Sequence, residues 1–191
     1  MLKVMLVDNT KERASSLRHA LLHAGFEVTA TVESALELNA RVASVRPDVI
    51  IIDTDSPTRD VIEQICVVSR DDPRPIVMFS GDRHNDTIRA ALRAGVTAYI
   101  VDGLSQERIE PILNVAIERF NAEQELKQEL EQTKSQLASR KLIERAKGII
   151  MQQRGVSEKE AFQRLRKLAM DRGIKLADAA AQIVEVAKVL T

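Results

Sequence analysis

The run Asp48-Val-Ile-Ile-Ile-Asp53 restricts the fold more than any other segment of the chain. It is apolar without alternation, so no solvent-facing side of a strand can be drawn from it. A strand of this kind is buried on both faces, as in a parallel sheet covered by helices on each side. Parallel neighbours need long crossover connections, usually helical, and the flanking sequence supplies them. Further strand patterns occur at 3–8, 26–31, 76–80 and 98–101. Helical spacing runs over 11–24, stopped by Gly25, and over 33–45, 60–69 and 83–94, the last closed by Gly95. This alternation over residues 1–120 predicts an α/β fold with a doubly wound, five-stranded parallel sheet.

Charge divides the chain differently. The 28 basic and 28 acidic residues cancel overall. Residues 1–120 hold 14 basic and 18 acidic side chains, residues 121–139 hold 2 and 4, and residues 140–191 hold 12 and 6. A basic C-terminal segment behind an acidic domain predicts either two solvated surfaces of opposite sign or a nucleic-acid footprint at 140–191. Other chemistries are poorly supplied. The single cysteine, Cys66, excludes an internal disulfide and a cysteine zinc site. His19, His23 and His84 are the only histidines and none ends a strand, so no nucleophile–base set can be assembled and no enzyme is expected. No apolar run is long enough to span a membrane. The first residues enter a strand pattern without a signal-peptide pattern, so a cytoplasmic location is expected.

Residues 121–139 are rich in Ala, Glu, Gln, Lys and Leu, all good helix formers. Leu126, Leu130, Thr133 and Leu137 follow the spacing of a coiled-coil seam. We expect a homodimer through Leu126, Leu130 and Leu137; the alternative is one exposed helix packing on its own domain. The same frame upstream includes Ile109, Ile112 and Ala116. Pro111 either delays the helix start or bends the helix. Three helical segments follow: 140–153, a second opened by the capping box Ser157/Glu160 and ended by Gly173, and a third at 175–190. Phe162 falls on the apolar face of the second and is expected in its core. The expected organisation is therefore 1–120, a coiled-coil linker helix at 121–139, and a small three-helix domain at 140–191.

Three polar residues end strands: Asp8 the first, Asp53 the third and Ser80 the fourth. Open α/β sheets bind ligands beyond the carboxyl ends of their strands, near a switch in strand order. Asp8 and Asp53 there suit a hard cation such as Mg²⁺, although aspartates also end strands because they begin turns.

On these residues, 1–120 resembles the receiver domain of two-component response regulators. The resemblance implies that Asp8 is one of an acidic pair, Asp53 the phosphoacceptor, Ser80 the hydroxyl residue and Tyr99 the switch aromatic. Asn9 stands where the second acid is usual, and Asp102 where a lysine is usual. Asp102 adds a repelling charge to a site for a dianion, and Asn9 anchors magnesium more weakly than a carboxylate. Weak or absent phosphorylation of Asp53 is therefore expected; no cofactor is required, and Mg²⁺ is the candidate ligand of that pocket.

Residues 140–191 resemble the ANTAR domain, the RNA-binding output module of transcription antitermination regulators. The matching stretches are Ile143-Glu-Arg-Ala-Lys-Gly-Ile-Ile-Met151, Gly155-Val-Ser157, Glu160-Ala-Phe162, Leu165-Arg166, Ala169-Met170, Lys175-Leu176 with Asp178 and Ala180, and Ile183-Val184. Asp53-Thr-Asp-Ser-Pro-Thr-Arg-Asp60 and Val101-Asp-Gly-Leu104 are similar to the NasT-like regulators of nitrate assimilation. The resemblance implies a dimer that binds paired stem-loops with hexanucleotide loops in a nascent leader transcript and favours an antiterminator. It implies a nitrate-binding sensor protein as partner; a histidine kinase is the partner of a conventional receiver. Arg145, Ala146, Lys147, Gly148, Arg166 and Lys175 are the expected RNA contacts. Lys147 could instead pair with Glu144 on the same helix face or with an Asp or Glu of a neighbouring helix, and Ala146 and Gly148 could serve close helix packing. A DNA-binding response regulator and a protein-interaction module are the competing functions.

Overall fold

The computed structural model describes residues 1–8, 10–33, 37–101 and 106–189, with the backbone alone of 11–13, 106 and 188–189. Its elements are β1 (Lys3–Asp8), α1 (Lys11–His23), β2 (Glu27–Val32), α2 (Leu38–Val45), β3 (Val49–Thr54), α3 (Arg59–Asp71), β4 (Ile76–Ser80), α4 (Asn85–Ala94), β5 (Ala98–Val101), α5 (Gln106–Arg154), α6 (Glu158–Arg172) and α7 (Leu176–Val189). They form two compact units, Met1–Gln124 and Glu125–Thr191.

In the first unit the sheet order is β2-β1-β3-β4-β5, with every neighbouring pair parallel. The apolar run of β3 occupies the middle strand, as its lack of alternation requires. Ile50 and Ile52 enter a core layer with Leu38 and Val42 of α2, Ile65 and Val68 of α3, and Ala91 of α4. Val49 and Ile51 enter the opposite layer with Leu17 and Leu21 of α1 and Ile109 and Leu113 of α5. Side chains alternate across the strand, but both sides are dry, so the sequence does not. The helix ends follow local chemistry. The Thr58 hydroxyl caps α3 by accepting from the Val61 N–H at 3.4 Å. Gly95 ends α4 at φ 112°, and a Cβ there would lie 2.1 Å from Ser69 Oγ on α3. Only glycine therefore satisfies both the left-handed backbone and the contact between the two helices.

The second unit packs α6 and α7 with the α5 residues from Glu125 on. Its buried core is Ala146, Leu165, Ala169, Ala179, Ala180 and Val184. Alanines let the helices approach closely but bury little apolar area each. Polar devices supplement them. Ser157 Oγ accepts from the Glu160 N–H at 3.4 Å, and Glu160 Oε2 accepts from the Ser157 N–H at 3.0 Å, completing the capping box at the start of α6. Gly173 closes α6 in the left-handed region at φ 62°.

Several expectations are corrected. Phe162 is 40% exposed and stands outside the core, because the buried stripe of α6 runs through Ala161, Leu165 and Ala169 instead. Ile109 and Ala116 pack on their own sheet rather than along a seam. Pro111 lies inside α5, which begins earlier, at Gln106; as the sixth helical residue it lacks the N–H that would bond the carbonyl one turn back, so the helix runs through it with that one bond missing. Part of the start expected for the second helix, residues 34–36, lies outside the described residues, and α2 begins at Leu38.

Candidate functional site

The strand order reverses at β1, whose two neighbours are β2 and β3. Asp8 and Asp53 are register partners across β1 and β3 at the carboxyl end of that crevice. Asp8 is buried, and its Oδ1 accepts from the Thr10 N–H at 2.7 Å. Asp53 is half-buried. Asn9 and Asp102, the two departures from the receiver pattern, lie outside the described residues. Among the described residues no group of three or more His, Cys, Asp or Glu is arranged to hold a metal. The Asp8–Asp53 pair still fits Mg²⁺, which needs only one or two carboxylates and retains several waters.

Ser80 and Tyr99 meet at a residue the sequence did not single out, Asp82. Ser80 is buried; its hydroxyl donates to the Asp55 carbonyl oxygen and accepts from the Asp82 N–H, both at 3.1 Å. The Tyr99 hydroxyl donates to the Asp82 carbonyl oxygen at 2.9 Å. Burial raises the Tyr99 pKa, which keeps the phenol a donor. The Asp82 carboxylate accepts from the His84 N–H and from Ser56 Oγ, each at 2.8 Å, with His84 Nδ1 also 2.8 Å away. These bonds, the His84 N–H first, hold its carboxyl well below the usual carboxylate range. Asp82 thus ties the loop after β3, the loop after β4 and the β5 tyrosine together. The available signal was an aspartate two residues before a helix N-cap, a common turn-forming position.

In the second unit the expected RNA contacts separate. Arg145, Arg166 and Lys175 are exposed. Gly148 is exposed too, and a Cβ built there meets nothing within 4 Å, so no close helix contact requires a glycine. Ala146 is fully buried in the core and offers no contact surface, a correction. Lys147 is corrected as well. Its side chain is 10% exposed, and Nζ lies 2.6 Å from Glu158 Oε1 and 2.9 Å from Glu144 Oε2. Both hydrogen bonds, Glu158 first, raise the Lys147 pKa, and Lys147 lowers that of Glu158. The ammonium is committed to joining α5 to α6, with Glu144 and Glu158 as its partners. On α6, Phe162, Arg166 and Met170 follow one another at single-turn spacing, all exposed, along a cavity of about 380 Å³. Leu126, Leu130 and Leu137 are 67%, 51% and 54% exposed within one chain. No described helix is long and apolar enough to cross a membrane.

Comparison with known proteins covers both units. Residues 4–114 match the response regulator receiver domain and residues 131–184 match the ANTAR domain. The transcriptional regulatory protein PdtaR of Mycobacterium tuberculosis is 27% identical over 183 residues, covering 96% of this chain and 89% of that protein. The chemotaxis protein CheY of Listeria monocytogenes is 26% identical over 117 residues, 61% of this chain and 98% of its own. Among solved structures, the signal receiver domain of a modulated diguanylate cyclase from Desulfovibrio desulfuricans superposes with a TM-score of 0.58 at 19% identity, covering 64% of this chain and 98% of that one. CheY4 of Vibrio cholerae gives a TM-score of 0.54 at 25% identity over 61% and 98%.

Proposed function

The chain belongs to the response regulator receiver family and carries an ANTAR domain, and from that premise we propose that it is a cytoplasmic, non-catalytic RNA-binding transcription antiterminator. Its ligand is a pair of stem-loops with hexanucleotide loops in a nascent leader RNA. Its organisation is a receiver at 1–120, a coiled-coil linker at 121–139 and an RNA-binding domain at 140–191.

The observation that carries the RNA reading is Phe162. This aromatic is left exposed one turn from exposed Arg166, in a segment where basic residues outnumber acidic ones twelve to six. Unstacked loop bases are held by aromatic and guanidinium planes, and their phosphates by basic side chains. Arg145, Arg166 and Lys175 take phosphates, and Gly148 lets the RNA backbone approach α5. A homodimer through Leu126, Leu130 and Leu137 presents two such surfaces to two stem-loops. In the receiver, Asp8 and Asp53 would hold Mg²⁺, which supplies neutralising charge when bound. With Asp102 and Asn9 in the sequence, phosphotransfer to Asp53 is a minor route, and release from a nitrate-sensing partner is the main control.

The test is competition between a paired hairpin RNA and duplex DNA of equal charge for the full chain. Preference for RNA that falls at least about fivefold in Phe162→Ala supports the reading. Preference for duplex DNA favours the DNA-binding alternative. Absence of binding to either favours a protein-interaction module.

A further inference from the structure

A second groove in the C-terminal unit lies on the opposite flank of α6 from Phe162. The last turns of α5, α6 from Arg164 to its end and the second half of α7 converge there around a cavity of about 380 Å³. Ile150, Leu168 and Ile183 contribute apolar lining and also pack on the core. Val186 lines the same cavity and is 59% exposed. Arg154, Arg164 and Arg172 border it, one from α5 and two from α6, and no acidic residue is among its described lining.

Three guanidiniums around one apolar hollow repel one another, and the protein does little to compensate them. Among the described residues neither Arg154 nor Arg164 forms an ion pair. Arg164 lies near Glu160, but that carboxylate is bound to the Ser157 cap. Arg172 donates to Gln182 Oε1, a neutral acceptor across from α6 to α7 that fixes the guanidinium at the rim. The complementary ligand has a flat apolar part and at least two anionic groups beside it. Arginine binds phosphate oxygens through its planar fork, and the cavity sits at the small end of the usual range for ligand sites, too small for a duplex.

We propose that this groove seats one unstacked base of an RNA loop against Leu168 and Val186, while Arg154, Arg164 and Arg172 hold the flanking phosphates. The proposal rests on the RNA-binding reading above. It adds a second base-holding site, on the far side of α6, to the one at Phe162.

The experiment uses the full chain and a pool of paired hairpin RNAs with randomised hexanucleotide loops. The same hairpins with abasic loops keep the phosphates and lose the bases. The wild type should prefer base-bearing loops by about fivefold or more. Val186→Glu should remove a large part of that preference. The Arg154→Ala/Arg164→Ala/Arg172→Ala variant should reduce the slope of log affinity against log salt by about 2, near 0.7 per phosphate lost. These side chains are exposed or at the rim, so circular dichroism and melting should match the wild type. If the folded variants keep both the base preference and the salt slope while Phe162→Ala loses affinity, the groove is not an RNA site and the RNA reading stands. If the wild type binds no hairpin RNA, both fail together. If the variants lose affinity only together with helicity, whereas Val186→Ala at the same position is silent in a folded chain, the groove is structural and the proposal is overturned.

Discussion

Replacing Gly148 with alanine should make the protein more stable and a poorer RNA binder. Gly148 lies within α5 with ordinary helical backbone, and an added Cβ meets nothing within 4 Å. The methyl group therefore strains nothing in the protein. It removes backbone freedom from the unfolded chain, and glycine is about 1 kcal/mol worse than alanine inside a helix. For a unit of 60–100 residues, about 1 kcal/mol raises Tm by roughly 4–8 °C; Glu125–Thr191 is of that size. If RNA approaches the helix at this glycine, the methyl enters a packed contact. Overpacking costs about 1–3 kcal/mol, which corresponds to about fivefold or more in Kd. Thermal melting followed by circular dichroism and filter binding of hairpin RNA measure the two effects on one sample. A stabilised variant with unchanged RNA affinity would refute the contact at Gly148. A variant that is not stabilised would refute the argument from open space around it.

Other expectations follow from the same structure. Lys147→Ala should lower Tm by leaving Glu144 and Glu158 without their shared cation, while folded protein keeps its RNA affinity; a loss of affinity without a loss of stability would return Lys147 to the RNA surface. The pH dependence has a defined sign. Glu158 is held below its ordinary 4.5, so its contribution is present above that pH and is lost as acid protonates the folded carboxylate. Lys147 is raised above its ordinary 10.5, so its contribution is present below that pH and is lost as alkali deprotonates the folded ammonium. Chemical denaturation of the wild type should show both losses, and Lys147→Ala neither. Leu130→Glu should dissociate a dimer by placing an unpaired charge in the seam; sedimentation equilibrium showing an unchanged dimer would remove the coiled-coil assignment. Acetyl phosphate with Mg²⁺ should label Asp53 poorly, and rapid stoichiometric labelling by intact-mass analysis would overturn the electrostatic reading of Asn9 and Asp102.

Local pattern was enough for the sheet and for the glycine-closed helix ends, though not for the starts of α2 and α5. The run at Val49–Ile52 has no polar alternate, so it had to be a middle strand; Asp8 and Ser80 are the last residues of β1 and β4, and Asp53 stands one residue before the end of β3, which runs on to Thr54. Ser157 and Glu160 lie three residues apart, so their capping box was legible without any partner element. Tertiary structure decided what depends on distant groups. Glu144 stands three residues from Lys147, but Glu158 belongs to another helix, and only the turn past Gly155 brings its carboxylate to Nζ and buries the lysine. Phe162 is apolar by composition. Its exposure follows from which stripe of α6 the alanine core of α5 and α7 selects. Asp82 acquires its role because β4 lies between β3 and β5, which puts Ser56 and Tyr99 within hydrogen-bonding reach. Periodicity is a property of neighbouring residues and survives in the sequence. The pairing of charges and the sharing of buried hydroxyls depend on which elements meet, and that is set only when the layers pack.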